Sequence, residues 1–149
     1  MKRNLLIRIT KYLVDFMFFA GIIICAGVPY LFREAGKIFS IFKTYYIPFC
    51  IIFMVAGFFA ILILWNLKVM MRTVIHEDPF IRENVTSLKR MGICAFIISA
   101  LMSVRLFFIV TPADLVLILV FLIAGLFSMV LSHVFDQAVS YKQENDLTI

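Results

Sequence analysis

Four long apolar stretches constrain this 149-residue chain more than any other feature of its sequence. They run approximately over residues 12–32, 47–67, 91–110 and 115–135. A helix of about 20 apolar residues crosses the roughly 30 Å hydrocarbon core of a bilayer, where the backbone must satisfy its own hydrogen bonds. The sequence therefore predicts an all-α integral membrane protein, a four-helix bundle that forms a single domain over residues 1–149.

Composition supports a membrane class and leaves no segment for a soluble catalytic domain. Hydrophobic residues make up 64% of the chain, and its formal net charge is +5. In a soluble protein such a charge would prompt a search for nucleic acid. Here Lys and Arg collect at the ends of the spans, where they fix orientation and meet anionic headgroups. We therefore expect the lipid bilayer as a partner and no direct contact with nucleic acid.

The distribution of basic residues predicts the orientation of the spans. Four Lys or Arg residues precede the first span, five lie between the second and third, and Lys142 follows the fourth, ten in all. The other side carries three, which are Arg33, Lys37 and Lys43. Because basic loops stay in the cytoplasm, both termini and the middle loop are predicted to be cytoplasmic. The even-numbered helices are expected to extend past the membrane on that side.

Helix signals predict how these extensions begin and end. Asp78 is expected to cap the third helix, with Pro79 in its first turn. On the opposite side Thr111 is expected to cap the fourth helix, with Pro112 at its first position and Asp114 in a capping box. The extended helices and the middle loop would then form a small cytoplasmic platform. The C-terminal tail is interpreted either as part of that platform or as a segment folded back under the bundle.

Ionisable residues inside the spans are few. Arg105 lies near the outer end of the third span, and three readings stay open for it: an ion pair with Asp114 or Glu34, a charge that reaches the interface alone, or a site for an anionic ligand. Asp15 lies near the inner end of the first span as an intramembrane polar group. It could meet either His133 or Lys68.

No motif in the chain predicts catalysis or a cofactor. There is no HExxH, GxSxG or phosphate-binding loop, and the three cysteines lie singly inside apolar stretches. His76 and His133 are far apart and are interpreted as interfacial polar residues rather than metal ligands. We expect a protein that is not an enzyme, with no catalytic residue, no metal and no cofactor.

Two motifs carry a resemblance to a known family. The first is Pro79-Phe80 followed by Glu83-Asn84, Leu88 and Lys89-Arg90, and the second is the end of the chain, Glu144-Asn145-Asp146-Leu147-Thr148-Ile149. With these motifs the chain resembles a family of small bacterial four-span membrane proteins of unknown function. That resemblance implies a multi-pass protein of the bacterial cytoplasmic membrane. It also implies a neighbouring gene for a Cro/repressor-type helix-turn-helix regulator.

The first functional hypothesis is a non-enzymatic membrane regulator that binds or sequesters a cytoplasmic partner, which the resemblance implies to be a small helix-turn-helix transcription factor. The candidate partner-binding residues all lie in the two motifs: Pro79, Phe80, Glu83, Asn84, Asn145, Asp146, Leu147 and Thr148. The alternatives are a small transporter or receptor for an amphipathic or anionic molecule, and a structural subunit of a membrane complex. A homo-oligomer also stays open.

Overall fold

The computed structural model describes residues 2–147 of the chain, and most of these residues are helical. Five helices follow one another in the chain: α1 (Lys2–Ile38), α2 (Ser40–Thr44), α3 (Tyr46–Ile75), α4 (Arg82–Arg105) and α5 (Pro112–Leu147). The described residues contain no strand. The predicted all-α class is confirmed.

Four of these helices, α1, α3, α4 and α5, are long and apolar enough to cross a membrane. The shortest, α4, has 24 residues and is therefore roughly 36 Å long at about 1.5 Å per residue. The other three have 30 to 37 residues. They consequently exceed the roughly 30 Å hydrocarbon core by several turns, which supports a multi-pass membrane protein.

The four long helices stand in chain order, so that α1 packs against α3, α3 against α4, and α4 against α5. Within residues 2–147, no Cα atom of α1 comes within 8 Å of a Cα atom in α4 or α5. The helical bundle is therefore a row rather than a closed ring. This order gives α3 and α4 two long neighbours each, whereas α1 and α5 have one.

Polar contacts define two ends of the bundle. Arg3 lies 3.7 Å from Glu77, and Lys142 lies 2.6 Å from Asp78. Both termini of the described chain thus meet the connection between α3 and α4, and we call this the terminal end. The opposite end, which carries α2 and residues 105–112, is called the loop end.

Helix α4 is the most buried of the four long helices. Twelve of its residues are buried, including the apolar Ile98 and Met102, which pack against Ile52 and Ala56 of α3. Ile118 and Phe121 of α5 close over the same cluster. The core therefore lies along α4 between α3 and α5.

Two connections differ from the sequence-based expectations. Asp78 does not cap α4, because that helix begins at Arg82. Its N-cap residue is Ile81, whose backbone is extended. The reason is that Glu77, just after α3, takes a left-handed conformation with φ of 60°. This conformation turns the chain away from the direction of α3 before the next helix begins. In addition, α4 ends at Arg105, whereas the third span was expected to continue to Val110. Residues 106–111 instead form the turn that leads to α5.

Close approach between α4 and α5 depends on two glycines that face each other. A Cβ atom on Gly125 would lie 2.7 Å from the ring of Phe96, and one on Gly92 would lie 3.2 Å from the carbonyl oxygen of Gly125. Small residues permit such approach between membrane helices. These two glycines therefore permit close packing of α4 and α5, although they form no GxxxG pair.

We predict that Gly125→Ala destabilises the protein by about 1–3 kcal/mol, because the Phe96 ring must move to admit the new methyl group. Gly27→Ala is the matched control, since no atom lies within 4 Å of a Cβ built there. Thermal unfolding in detergent measures both variants. Equal stability of the two would contradict the helix contact described above.

Candidate functional sites at the two ends of the bundle

The loop end contains a buried ion pair between the last residue of α4 and the first turn of α5. The guanidinium of Arg105 donates to the carboxylate of Asp114, and these residues are 8% and 1% exposed. Asp114 also accepts a 2.5 Å hydrogen bond from the hydroxyl of Thr111, whose oxygen accepts the Asp114 backbone N–H at 3.3 Å. The same carboxylate thus helps to start α5 and neutralises the cation that ends α4.

Aromatic rings complete the enclosure of this pair. The guanidinium carbon of Arg105 lies 4.9 Å from the ring centre of Phe49 and 5.0 Å from that of Phe53. Phe108, in the turn after α4, packs against Phe49 and Tyr45. Ring faces attract a cation, and the attraction grows when water is excluded. The pair therefore ties α3, α4 and α5 together at the loop end.

This geometry bears on each reading of Arg105. Glu34 does not reach it, because Glu34 pairs with Lys37 at 3.1 Å on the same turn of α1. An anionic ligand would have to displace Asp114 from a site with almost no exposed surface. The arrangement fits a structural contact and gives no support to an anion receptor at Arg105.

Asp15 and Lys68 meet near the terminal end, between α1 and α3. Their charged atoms are 3.6 Å apart, so Lys68 rather than His133 is the neighbour of Asp15. The Lys68 ammonium also lies 4.6 Å from the ring centre of Phe18 and 5.8 Å from that of Trp65. The Lys68 ammonium, which directly follows the second apolar stretch, is thus compensated by a carboxylate and by ring faces.

The terminal end also carries a region with many polar side chains, made of residues 77–85 and 136–147, which we call the platform. Its first part depends on how α3 ends. The backbone N–H of Asp78 donates to the carbonyl of Thr73, and that of Glu77 donates to Val74. This pair of bonds, with Glu77 at positive φ, is the Schellman arrangement that usually has glycine at this position.

Asn84 holds the connection in place from inside. Its side-chain amide donates to the Pro79 carbonyl at 2.6 Å and to the Thr73 hydroxyl at 2.8 Å. The residue is fully buried. Asn84 therefore links the end of α3 to the start of α4, and its side chain does not belong to any outer surface.

Two ion pairs and one ring contact dock the end of α5 on this connection. Arg82 donates to Asp136, and Lys142 donates to Asp78 at 2.6 Å. The rings of Phe80 and Phe135 are 5.2 Å apart. Since residues 136–147 remain helical and make these contacts, the described part of the tail is an extension of α5 rather than a segment folded back under the bundle.

The hydrogen bonds in the two ion pairs favour the charged forms of Asp136 and Lys142. The hydrogen bond from Arg82 lowers the pKa of Asp136 below its ordinary 3.8, so the contribution of that pair is present above 3.8 and fades as pH falls further. The bond to Asp78 raises the pKa of Lys142 above its ordinary 10.5, so that contribution is present below 10.5 and fades above it. Both side chains of each pair are substantially exposed, which keeps each contribution small.

The structure distributes the candidate partner-binding residues over three environments. Asn84 is buried and Pro79 is partly buried, so neither side chain is fully accessible to a partner protein. The exposed members are Phe80, Glu83, Asn145, Asp146 and Leu147. Thr148 lies outside the described residues.

Sequence reasoning missed two buried polar groups in the spans. Asn66 and Ser132 are 7% and 0% exposed, and each donates to a carbonyl of its own helix, Leu62 and Met129 respectively. Such local bonds satisfy a polar side chain without a partner helix. The two positions therefore add no path for a proton or an ion.

Comparison with known proteins assigns the chain to a family. Residues 30–149 match the model of a family described as "Protein of unknown function (DUF2975)". The chain belongs to the DUF2975 family. The match begins within α1 and covers α2 to α5, so the platform and the Arg105–Asp114 pair both lie in the DUF2975 region. No curated protein and no solved structure gives a significant match to the chain.

We predict that Arg105→Gln lowers the free energy of unfolding by about 3–5 kcal/mol, because it leaves the buried Asp114 without its cation. The double variant Arg105→Gln with Asp114→Asn should recover a large part of this loss, since neither side chain is then charged. Denaturation in detergent at neutral pH measures both. A double variant less stable than Arg105→Gln alone would contradict this account of the pair.

Proposed function

We propose that this DUF2975 protein is a non-enzymatic regulator in the bacterial cytoplasmic membrane that binds a cytoplasmic protein on its platform. The proposal assigns both termini and the platform to the cytoplasm, in keeping with the excess of basic residues on that side. The class of partner that we favour is a small helix-turn-helix transcription factor. The membrane protein would hold such a factor at the membrane or release it.

The observation that carries the proposal is apolar surface exposed beyond the spans. Phe80, Tyr141 and Leu147 are 42%, 71% and 86% exposed, and all three lie on the platform. Exposed apolar side chains within the spans are covered by lipid, but these three extend past the apolar stretches. Apolar groups that neither lipid nor the fold covers are typical of a protein-binding surface.

A groove on the platform also supports the proposal. A groove of about 190 Å³ runs between the connection and α5, with Phe80 and Ile81 on one wall and Val139 and Gln143 on the other. Lys142, which pairs with Asp78, also lines the groove. Because the buried Asn84 fixes the backbone beneath, a partner would meet a preformed surface, which lowers the entropy lost on binding.

The proposal is tested by photo-cross-linking in cells, with a benzophenone amino acid in place of single residues of the full-length protein. Probes at Phe80 and Leu147 should give a covalent adduct that mass spectrometry identifies as a small helix-turn-helix protein. Phe107 is the matched control, because it is also an apolar side chain and is 90% exposed, but lies at the loop end.

Adducts to that protein from the platform positions but not from Phe107 would support the proposal. Deletion of residues 145–149 should then reduce the yield from Phe80 while the protein still inserts in the membrane. An absence of adducts at both platform positions, or the same adduct at Phe107, would overturn the proposal.

A further inference from the structure

A second polar site at the terminal end lies outside the platform, in a cleft between α1 and α3. The cleft has a volume of about 480 Å³. Its polar lining comes from Lys11 and Asp15 of α1, from Lys68 and Arg72 of α3, and from His76, the C-cap residue of α3. Neither the regulatory proposal nor the Arg105–Asp114 pair uses any of these residues.

The spacing of these residues places them in two facing columns. Lys11 and Asp15 are four positions apart on α1, and Lys68, Arg72 and His76 follow at intervals of four along α3 and its C-cap. Residues four apart share one face of a helix and are separated by about 6 Å along its axis. The α3 column therefore spans about 12 Å, more than the depth of one headgroup layer, which is roughly 5–8 Å.

The floor of the cleft is a compensated pair set among aromatic rings. Lys68 and Asp15 are 3.6 Å apart, with side chains only 21% and 31% exposed. Phe18, Phe19 and Trp65 surround the ammonium. Tryptophan within a span end and lysine just beyond it are typical of the boundary between acyl chains and headgroups. The floor thus sets the level of the cleft at the membrane interface.

The rim of the cleft carries positive charge that the protein does not neutralise. Lys11 and Arg72 are exposed, and no carboxylate within residues 2–147 forms an ion pair with either. Three basic residues against Asp15 leave the cleft with a net charge of +2 when His76 is neutral. Val14, Met71 and Ile75 supply its apolar wall. Cations at headgroup level above an apolar wall match the phosphate and the upper acyl chain of a phospholipid.

We propose that the cleft binds an anionic phospholipid, whose phosphate lies between Lys11 and Arg72 and whose acyl chain follows the apolar wall toward Phe18 and Trp65. Lys68 contributes from below as the third cation. The site requires the chain to lie in a membrane but does not depend on a partner at the platform. The two proposals can therefore fail separately.

The proposal is tested with the full-length protein in detergent, by native mass spectrometry during titration with phosphatidylglycerol or phosphatidylcholine. Lys11→Gln combined with Arg72→Gln should weaken phosphatidylglycerol binding by roughly tenfold or more, because both rim cations are lost. Lys89→Gln combined with Arg90→Gln is the matched control. It removes two exposed cations on α4, outside the α1–α3 cleft, and should change binding less than about twofold.

A conservative double variant, Lys11→Arg with Arg72→Lys, should retain phosphatidylglycerol binding. That result would show that binding depends on the positive charge of the rim. Circular dichroism checks that each variant keeps its helices. Equal losses in the two glutamine variants, or equal affinity for phosphatidylcholine, would overturn the proposal. Displacement of the lipid by millimolar inorganic phosphate would also overturn it and assign the cleft to a soluble phosphate anion.

Discussion

The burial of α4 between α3 and α5 is the constraint on which the rest of the structure depends. Half of its most apolar stretch is buried, against 22% or less in the other three long helices. It also carries the polar residues Asn84, Ser99 and Arg105, of which Ser99 and Arg105 lie within the third apolar stretch and would be costly against lipid. Each finds a partner on a neighbouring element: Asn84 at the connection, Ser99 at the Ile118 carbonyl of α5 and Arg105 at Asp114. The least apolar helix can therefore stay in the membrane only as the interior helix.

This arrangement separates the two ends of the molecule by chemistry. At the loop end the charges of Arg105 and Asp114 cancel in a buried, aromatic enclosure that has little capacity to bind anything else. At the terminal end the ion pairs are exposed, apolar side chains extend beyond the spans, and the α1–α3 cleft keeps an excess of positive charge. The regulatory surface and the lipid site that we propose share that end but use different helices, since the platform rests on α4 and α5.

Short-range patterns made a large part of this fold predictable. The four apolar stretches indicated the long helices, and Thr111-Pro112 indicated the start of α5. The proximity of Arg105 to Asp114 followed from the short turn between their helices, although Glu34 was an equal candidate on charge alone. Asp15 posed the same problem, because Lys68 and His133 are both basic or titratable and only the row order of the helices decides between them.

The connection between α3 and α4 could not be predicted from local signals. Asp78-Pro79 has the composition of a helix start, but Glu77 occupies a left-handed position that glycine usually takes, and this moves the start of α4 to Arg82. Asn84 looked like a surface residue because its neighbours are polar. Its burial depends on contacts with Thr73 and Pro79, eleven and five positions away, which no pattern in the sequence encodes.

The assignment of the terminal end to the cytoplasm is tested most directly by thiol labelling of single cysteines in intact cells. Positions 83 and 141 on the platform and position 38 near α2 are all exposed in the structure, and all three lie outside the four apolar stretches. A membrane-impermeant maleimide should modify position 38 in intact cells and positions 83 and 141 only after the membrane is opened. Labelling of 83 and 141 in intact cells, with 38 protected, would contradict the orientation and with it a cytoplasmic partner.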